Sequence, residues 1–233
     1  MSDDSTFKDT QIQAFTAGES RVELEHLLRQ HEQRLADLPD DAPALDRARI
    51  ELDIAEALLG LTRNEAAWNI ARAAFDRALA AEAWQEAVEA CDILYQTEQP
   101  ESLIALGNGV WLAVTYPIRP ETSVAMLQHI VDETPDRSDG GAVAAAAAHF
   151  IADMRTEGKE HESLTFLTKQ ILAHVAKRHR NIDKPEMIGM WMEALQLNDP
   201  GEFLPRLAKV LDVIVDGNWW YDRDALRARL PDQ

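Results

Sequence analysis

From Leu24 to Val215 apolar residues return every three or four positions, in runs cut at short intervals by proline, glycine or polar clusters. That spacing lays an apolar stripe along an α-helix, whereas a strand would alternate. The first run carries Leu24, Leu27, Leu28, Leu35 and Leu38 and stops at Pro39-Asp40-Asp41-Ala42-Pro43. Proline there lacks an amide donor and biases its predecessor toward extended backbone. Leu45, Ala48, Leu52, Ala55 and Leu59 mark a second helix, closed by Gly60 and a break over 62–64. Trp68, Ala71, Phe75 and Ala78 mark a third. Trp84, Ala87, Val88, Cys91, Leu94 and Tyr95 mark a fourth, which stops before Pro100.

The rhythm continues through Leu103, Leu106, Val110 and Ala113, then past Pro117 and Pro120 into Val124, Leu127, Ile130 and Val131. Beyond Pro135 and Gly140-Gly141 comes an alanine-rich helix with Val143, Ala146, Ala147, Phe150 and Met154. Leu164, Leu167, Ile171 and Val175 mark the next, and shorter helices fall near 188–195 and 203–215, with a stub from about Asp222. No segment has the period-two, β-branched pattern of a strand. The expected fold is all-α, with about ten helices. Residues 1–19, polar and without sustained periodicity, read as a flexible acidic tail, 20–217 as a single helical domain, and 218–233 as an aromatic C-terminal cap with a short helix.

Helices of this length on short turns form antiparallel hairpins. Within 66–97, Glu82-Ala83-Trp84-Gln85-Glu86-Ala87-Val88 leads from a turn through an aromatic and an acidic residue to an alanine, with Pro100 following. This resembles the tetratricopeptide (TPR) repeat. The resemblance implies that Ala87 lets two helices approach closely, that Ala78 faces it, and that Trp84 fills the gap at the turn. Phe75 and Cys91 depart from that pattern. Leu106-Gly107 opens a second unit whose turn is lengthened by Tyr116-Pro117-Ile118-Arg119-Pro120, and 158–162 marks a third hairpin. The implied architecture is a TPR-like α-solenoid of stacked hairpins.

Lys plus Arg number 23 against 41 Asp plus Glu, a net charge of −18. Such a surface repels phosphate backbones and anionic lipid, so neither nucleic acid nor membrane is an expected partner. One cysteine precludes an internal disulfide, no apolar run reaches bilayer length, and the acidic N-terminus is unlike a secretory signal. A cytoplasmic protein is expected. Phosphate-loop, nucleophile-elbow, H-E-x-x-H and C-x-x-C motifs are lacking, so no cofactor is expected.

The remaining candidates are weaker. Glu23 and His26 share a helix face, but a carboxylate-bridged di-iron site needs a second such pair. His129 with Glu133, and His149 with Asp153, sit four apart on successive helices and could hold a metal only by facing each other; surface pairing is the simpler reading. His31, among leucines, reads as a partly buried histidine with a partner, and Cys91, on an apolar stripe, as an inert buried thiol. Lys177-Arg178-His179-Arg180 complements a helix C-terminus, and it would equally seat an acidic partner segment. Trp219-Trp220-Tyr221 reads as a cap over the stripe of Val210, Leu211, Ile214 and Val215, or as an aromatic anchor for a partner.

The function expected from these features is a non-catalytic protein-binding scaffold or adaptor, with Trp219, Trp220, Tyr221, Lys177, Arg178 and Arg180 as partner-binding residues and self-association allowed. The alternatives are a helical-bundle enzyme or metal-binding protein using His129, Glu133, His149 and Asp153, and an acidic regulator that mimics nucleic-acid charge.

Overall fold

The structure, a computed structural model, describes residues 3–230, with side chains from Ser20 onward. Among the described residues there are eleven helices and no strand: α1 (Asp3–Ala36), α2 (Ala44–Gly60), α3 (Asn64–Ala80), α4 (Trp84–Gln96), α5 (Ser102–Thr115), α6 (Pro120–Glu133), α7 (Asp139–Arg155), α8 (Gly158–Arg180), α9 (Pro185–Ala194), α10 (Pro200–Val215) and α11 (Arg223–Arg227). The all-α reading holds. Where the sequence reads one domain over 20–217, the contacts divide the chain into two units, Met1–Pro100 and Glu101–Gln233. The side chains of the stretch read as a tail, 1–19, lie outside the described residues, and its backbone from Asp3 runs within α1.

In the first unit α2, α3 and α4 open at Ala44, Asn64 and Trp84, twenty residues apart. Each packs on the next, α2 also reaches α4, and α1 covers α2. The two intervening turns are built alike. Arg63 N–H donates to the Leu58 carbonyl at 2.9 Å and Thr62 N–H to Leu59 at 2.8 Å; Ala83 donates to Ala78 at 2.9 Å and Glu82 to Leu79 at 3.2 Å. These bonds close each helix C-terminus through a left-handed residue, Thr62 (φ 59°) or Glu82 (φ 54°). Side chains at such φ are strained, which is the cost of reversing the chain in three residues. The fourth residue of each following helix, Ala67 or Ala87, is fully buried. Ala78, Phe75 and Cys91 are also fully buried. Leu28, Ile50, Ile54, Leu58 and Leu61 form the core beneath α1 and α2.

In the second unit α5 packs on α6, α6 on α7, α7 on α10 and α10 back on α5, a closed ring of four helices. Helix α8 lies against α7 and α6, and α9 against α8. Enclosure on several sides is why α5 is apolar nearly all round and why every alanine of α7 from Ala142 to Ala148 is buried. At Gly107 a Cβ would overlap Val215 Cγ2, so the α5–α10 approach requires glycine there.

Helices α5 and α6 end differently from α2 and α3. Tyr116 and Thr134 are extended and each precedes a proline, so the left-handed closure is not made and the last carbonyls need other donors. Arginines supply them, together with the Ser123 hydroxyl on Ala113 at 3.0 Å and the Thr134 hydroxyl on Val131 at 2.8 Å. Arg155 Nη1 donates to the Ala113 carbonyl at 3.0 Å and Nη2 to Val114 at 2.9 Å, while Arg178 Nη2 donates to Val131 at 2.7 Å.

Beyond α10, Asp216 (φ 48°) and Gly217 (φ 78°) turn the chain so that the segment after them runs over α5. Trp220 N–H donates to Asn108 Oδ1 at 3.0 Å, and the Tyr221 hydroxyl to the Asn108 carbonyl at 2.6 Å. The Tyr116 hydroxyl donates to the Leu226 carbonyl at 3.3 Å. The sequence seats these aromatics on the stripe of Val210, Leu211, Ile214 and Val215; the hydrogen bonds of Trp220 and Tyr221 run to α5, where α10 buries Leu207, Leu211 and Val215 against α5 and α7.

Candidate partner-binding surface

The basic run Lys177-Arg178-His179-Arg180 is the last turn of α8. Its residues separate into different roles because successive side chains leave the helix about 100° apart. Arg178 points at α6: beyond Val131 it reaches Thr134 Oγ1 at 3.1 Å and Asp136 at 3.4 Å. A Cβ on Gly141 would lie 2.8 Å from Arg178 Nη2 and 2.7 Å from Thr134 Oγ1, so this glycine admits the guanidinium. His179 is buried, bonded to Asp139 and Trp191. Lys177 pairs with Asp183 at 3.3 Å.

Arg180 is exposed. With Arg137, from the turn before α7, it lines a polar recess of about 540 Å³ shared with Asp136, Lys177, Arg178, His179 and Asn181. Neither Arg137 nor Arg180 makes an ion pair among the described residues. The recess thus brings two guanidinium groups together beside the pairs Arg178–Asp136 and Lys177–Asp183.

The aromatic group Trp219, Trp220 and Tyr221 is half-buried. Tyr221 stacks at 5.4 Å from Trp111 of α5 and 6.2 Å from Trp219, and Arg223 lies 3.8 Å over the Trp219 ring while pairing with Asp212 at 2.9 Å. A cation over an aromatic face adds electrostatic attraction to the packing. These contacts fix the segment as part of the second unit's packing, against Asn108, Trp111 and Asp212.

Among the described residues no three His, Cys, Asp or Glu side chains, those of His129, Glu133, His149 and Asp153 included, gather closely enough to hold an ion. His149 instead bonds Thr168 Oγ1 through Nδ1 at 2.8 Å, and Asp153 lies 3.7 Å from His161. Burial pushes the His149 imidazole below its ordinary pKa, Lys169 adds to this, and Asp153 acts against it. His26 bonds Gln30 at 3.0 Å. His31 meets Asp53 at 3.3 Å between α1 and α2. Burial drives the Cys91 thiol far up, which leaves it protonated and unreactive.

Two residues of consequence were not singled out from the sequence. Asn108 is fully buried in α5, where it receives the C-terminal segment while its Nδ2 donates to Ile104 at 2.9 Å. A lone amide in an apolar helix is the signal that could have found it, since buried polar groups need partners. Arg155 is the other, at the end of α7. Comparison of the chain with protein-family models, with curated proteins and with solved structures found no match.

Proposed function

We propose that the chain is a non-catalytic scaffold that binds another protein, and that the recess at the end of α8 receives a carboxylate-rich segment of that partner. One observation carries the reading: Arg137 and Arg180 line the recess without an ion pair, in a chain whose net charge is −18. In so acidic a protein an unneutralised guanidinium pair steers an acidic segment to one place and repels it elsewhere. The twenty-residue helix-and-turn repeat of α2–α4, with Ala67 and Ala87 buried at equivalent positions, supports a TPR-like stack in the first unit as the scaffold element. The step from stacked helices to partner binding is analogy of fold.

The test is affinity capture from native lysate with the wild type and with Arg137→Glu/Arg180→Glu, at low and high salt. A partner that binds at low salt, weakens at high salt and is lost by the double variant is the expected result. A partner retained by a folded double variant would overturn the assignment of the recess.

A further inference from the structure

We propose that α9 is a proton-sensitive latch, docked while His179 is neutral and released when its imidazole takes a second proton. This stands apart from the partner-binding reading and does not depend on it.

The geometry defines the docked state. Trp191 is the one buried side chain of α9, a helix of ten residues. Its indole Nε1 lies 3.0 Å from His179 Nδ1. An indole N–H can only donate, so Nδ1 must be the unprotonated, accepting nitrogen. The ring proton is then on Nε2, which donates to Asp139 Oδ1 at 3.1 Å. The imidazole itself is buried. A proton added to Nδ1 sets two donors face to face and removes the polar tie of Trp191.

The charges around the ring come from several elements. From α7 comes Asp139, whose carboxylate favours the imidazolium. From α10 comes Arg206, which holds the other Asp139 oxygen at 3.3 Å and offsets that pull. Arg206 also donates to the Leu195 carbonyl at 2.6 Å, so both polar ties of the α9 segment converge on Asp139. Along α8 itself Lys177, Arg178 and Arg180 add positive charge, partly answered by Asp183 and Asp136. From α9 the facing group is the Trp191 indole. An imidazolium is thus a further cation in a basic turn, and its formation breaks the bond that seats α9. Pro185 and Pro200, each opening its helix, bracket the segment, which is also held by the buried Leu197.

The experiment follows indole N–H resonances of the full chain by ¹H–¹⁵N correlation from pH 8 to pH 5, the range over which imidazoles change charge. The Trp191 signal, one of six, is assigned by its loss in Trp191→Phe. It should move reversibly to the position of a solvent-exposed indole while the other five stay. In His179→Gln, whose amide can accept from the indole and donate to Asp139 without titrating, it should stay docked throughout. In Asp139→Asn, which keeps a partner for Nε2 but removes the negative charge, the transition should move to more acidic pH. A wild-type Trp191 signal constant from pH 8 to 5 would overturn the proposal. So would an equal movement in His179→Gln, or, if that variant fails to fold, an unshifted transition in Asp139→Asn.

Discussion

Replacing Gly107 with alanine sets two effects of known size against each other. In a helix interior, alanine is favoured over glycine by about 0.5–1 kcal/mol, because it loses less backbone entropy. In α5 the new Cβ would overlap Val215 Cγ2 and touch Ile214 Cγ2 at 3.4 Å, with the Leu211 carbonyl at 3.8 Å. Neither α10 residue is the end of a long flexible side chain, so relief requires α10 to shift against α5. Overpacking of this kind costs about 1–3 kcal/mol. The expected net result is a loss of about 1–2 kcal/mol, read as a lower urea midpoint at unchanged slope. Val215→Ala alone should cost about 2 kcal/mol through lost burial. With both changes the overlap is gone, and Gly107→Ala should become neutral or stabilising, a coupling of at least about 1 kcal/mol. Gly189→Ala is the control: no atom lies within 4 Å of its Cβ, so only propensity acts and stability should rise by about 0.5–1 kcal/mol. A stabilising Gly107→Ala, or coupling to Val215 under about 0.5 kcal/mol, would refute the close approach of α5 and α10.

Three further outcomes are expected. Glu82→Gly should raise stability by up to about 1 kcal/mol, since glycine adopts φ 54° freely, while Glu82→Ala should not; equal effects in thermal melts would contradict the left-handed turn. Arg155→Met keeps the bulk but leaves the Val114 carbonyl without its donor and Ala113 with Ser123 alone, and should lower stability by about 1–3 kcal/mol; a loss under about 0.5 would show that water replaces the guanidinium. Glu51, bonded to Arg77 at 2.7 Å, has its pKa raised by burial, with Arg77 and Arg47 acting against the rise. The native state therefore holds the proton longer than the unfolded chain. Its contribution to stability is present below the ordinary value near 4.5 and is lost as pH rises through the native value. The stability of the wild type minus that of Glu51→Gln should fall as urea melts are moved upward from about pH 4, and a difference that grows would reverse the assignment.

The helices were legible because their ends are local. Pro100, Pro117, Pro120 and Pro135 stop or start a helix through their own rings, and the apolar period between them needs no partner to be read. Pairing was less so. The stripe of α10 at Leu207, Leu211 and Val215 says that something covers it, and only the fold shows α5 and α7 doing so. That Trp219, Trp220 and Tyr221 reach α5 through Asn108 and Trp111 is likewise shown only by the fold. His179 was hidden by its charged neighbours, although Leu172, Val175 and Ala176 place it on the buried face at helical spacing.

The basic run shows why charge in a sequence overstates what a surface offers. A helix that ends in an extended residue before proline gives up its left-handed closure, and its orphan carbonyls then recruit a cation from another helix. Arg155 serves α5 in this way and Arg178 serves α6, each at hydrogen-bond distance to carbonyls of a segment distant in sequence. Of the four residues in the last turn of α8, one is taken by α6, one is buried, and one pairs with Asp183. Arg180 is left, beside Arg137 from the turn that α6 and α7 share. The two kinds of arginine separate by measurement: Arg178→Ala should lower the melting temperature, because its bonds to Val131, Thr134 and Asp136 are lost together, whereas Arg180→Ala should leave it unchanged and weaken only capture of the acidic partner. Equal thermal effects would mean that Arg180 too is structural, and the recess would then keep Arg137 alone for a ligand.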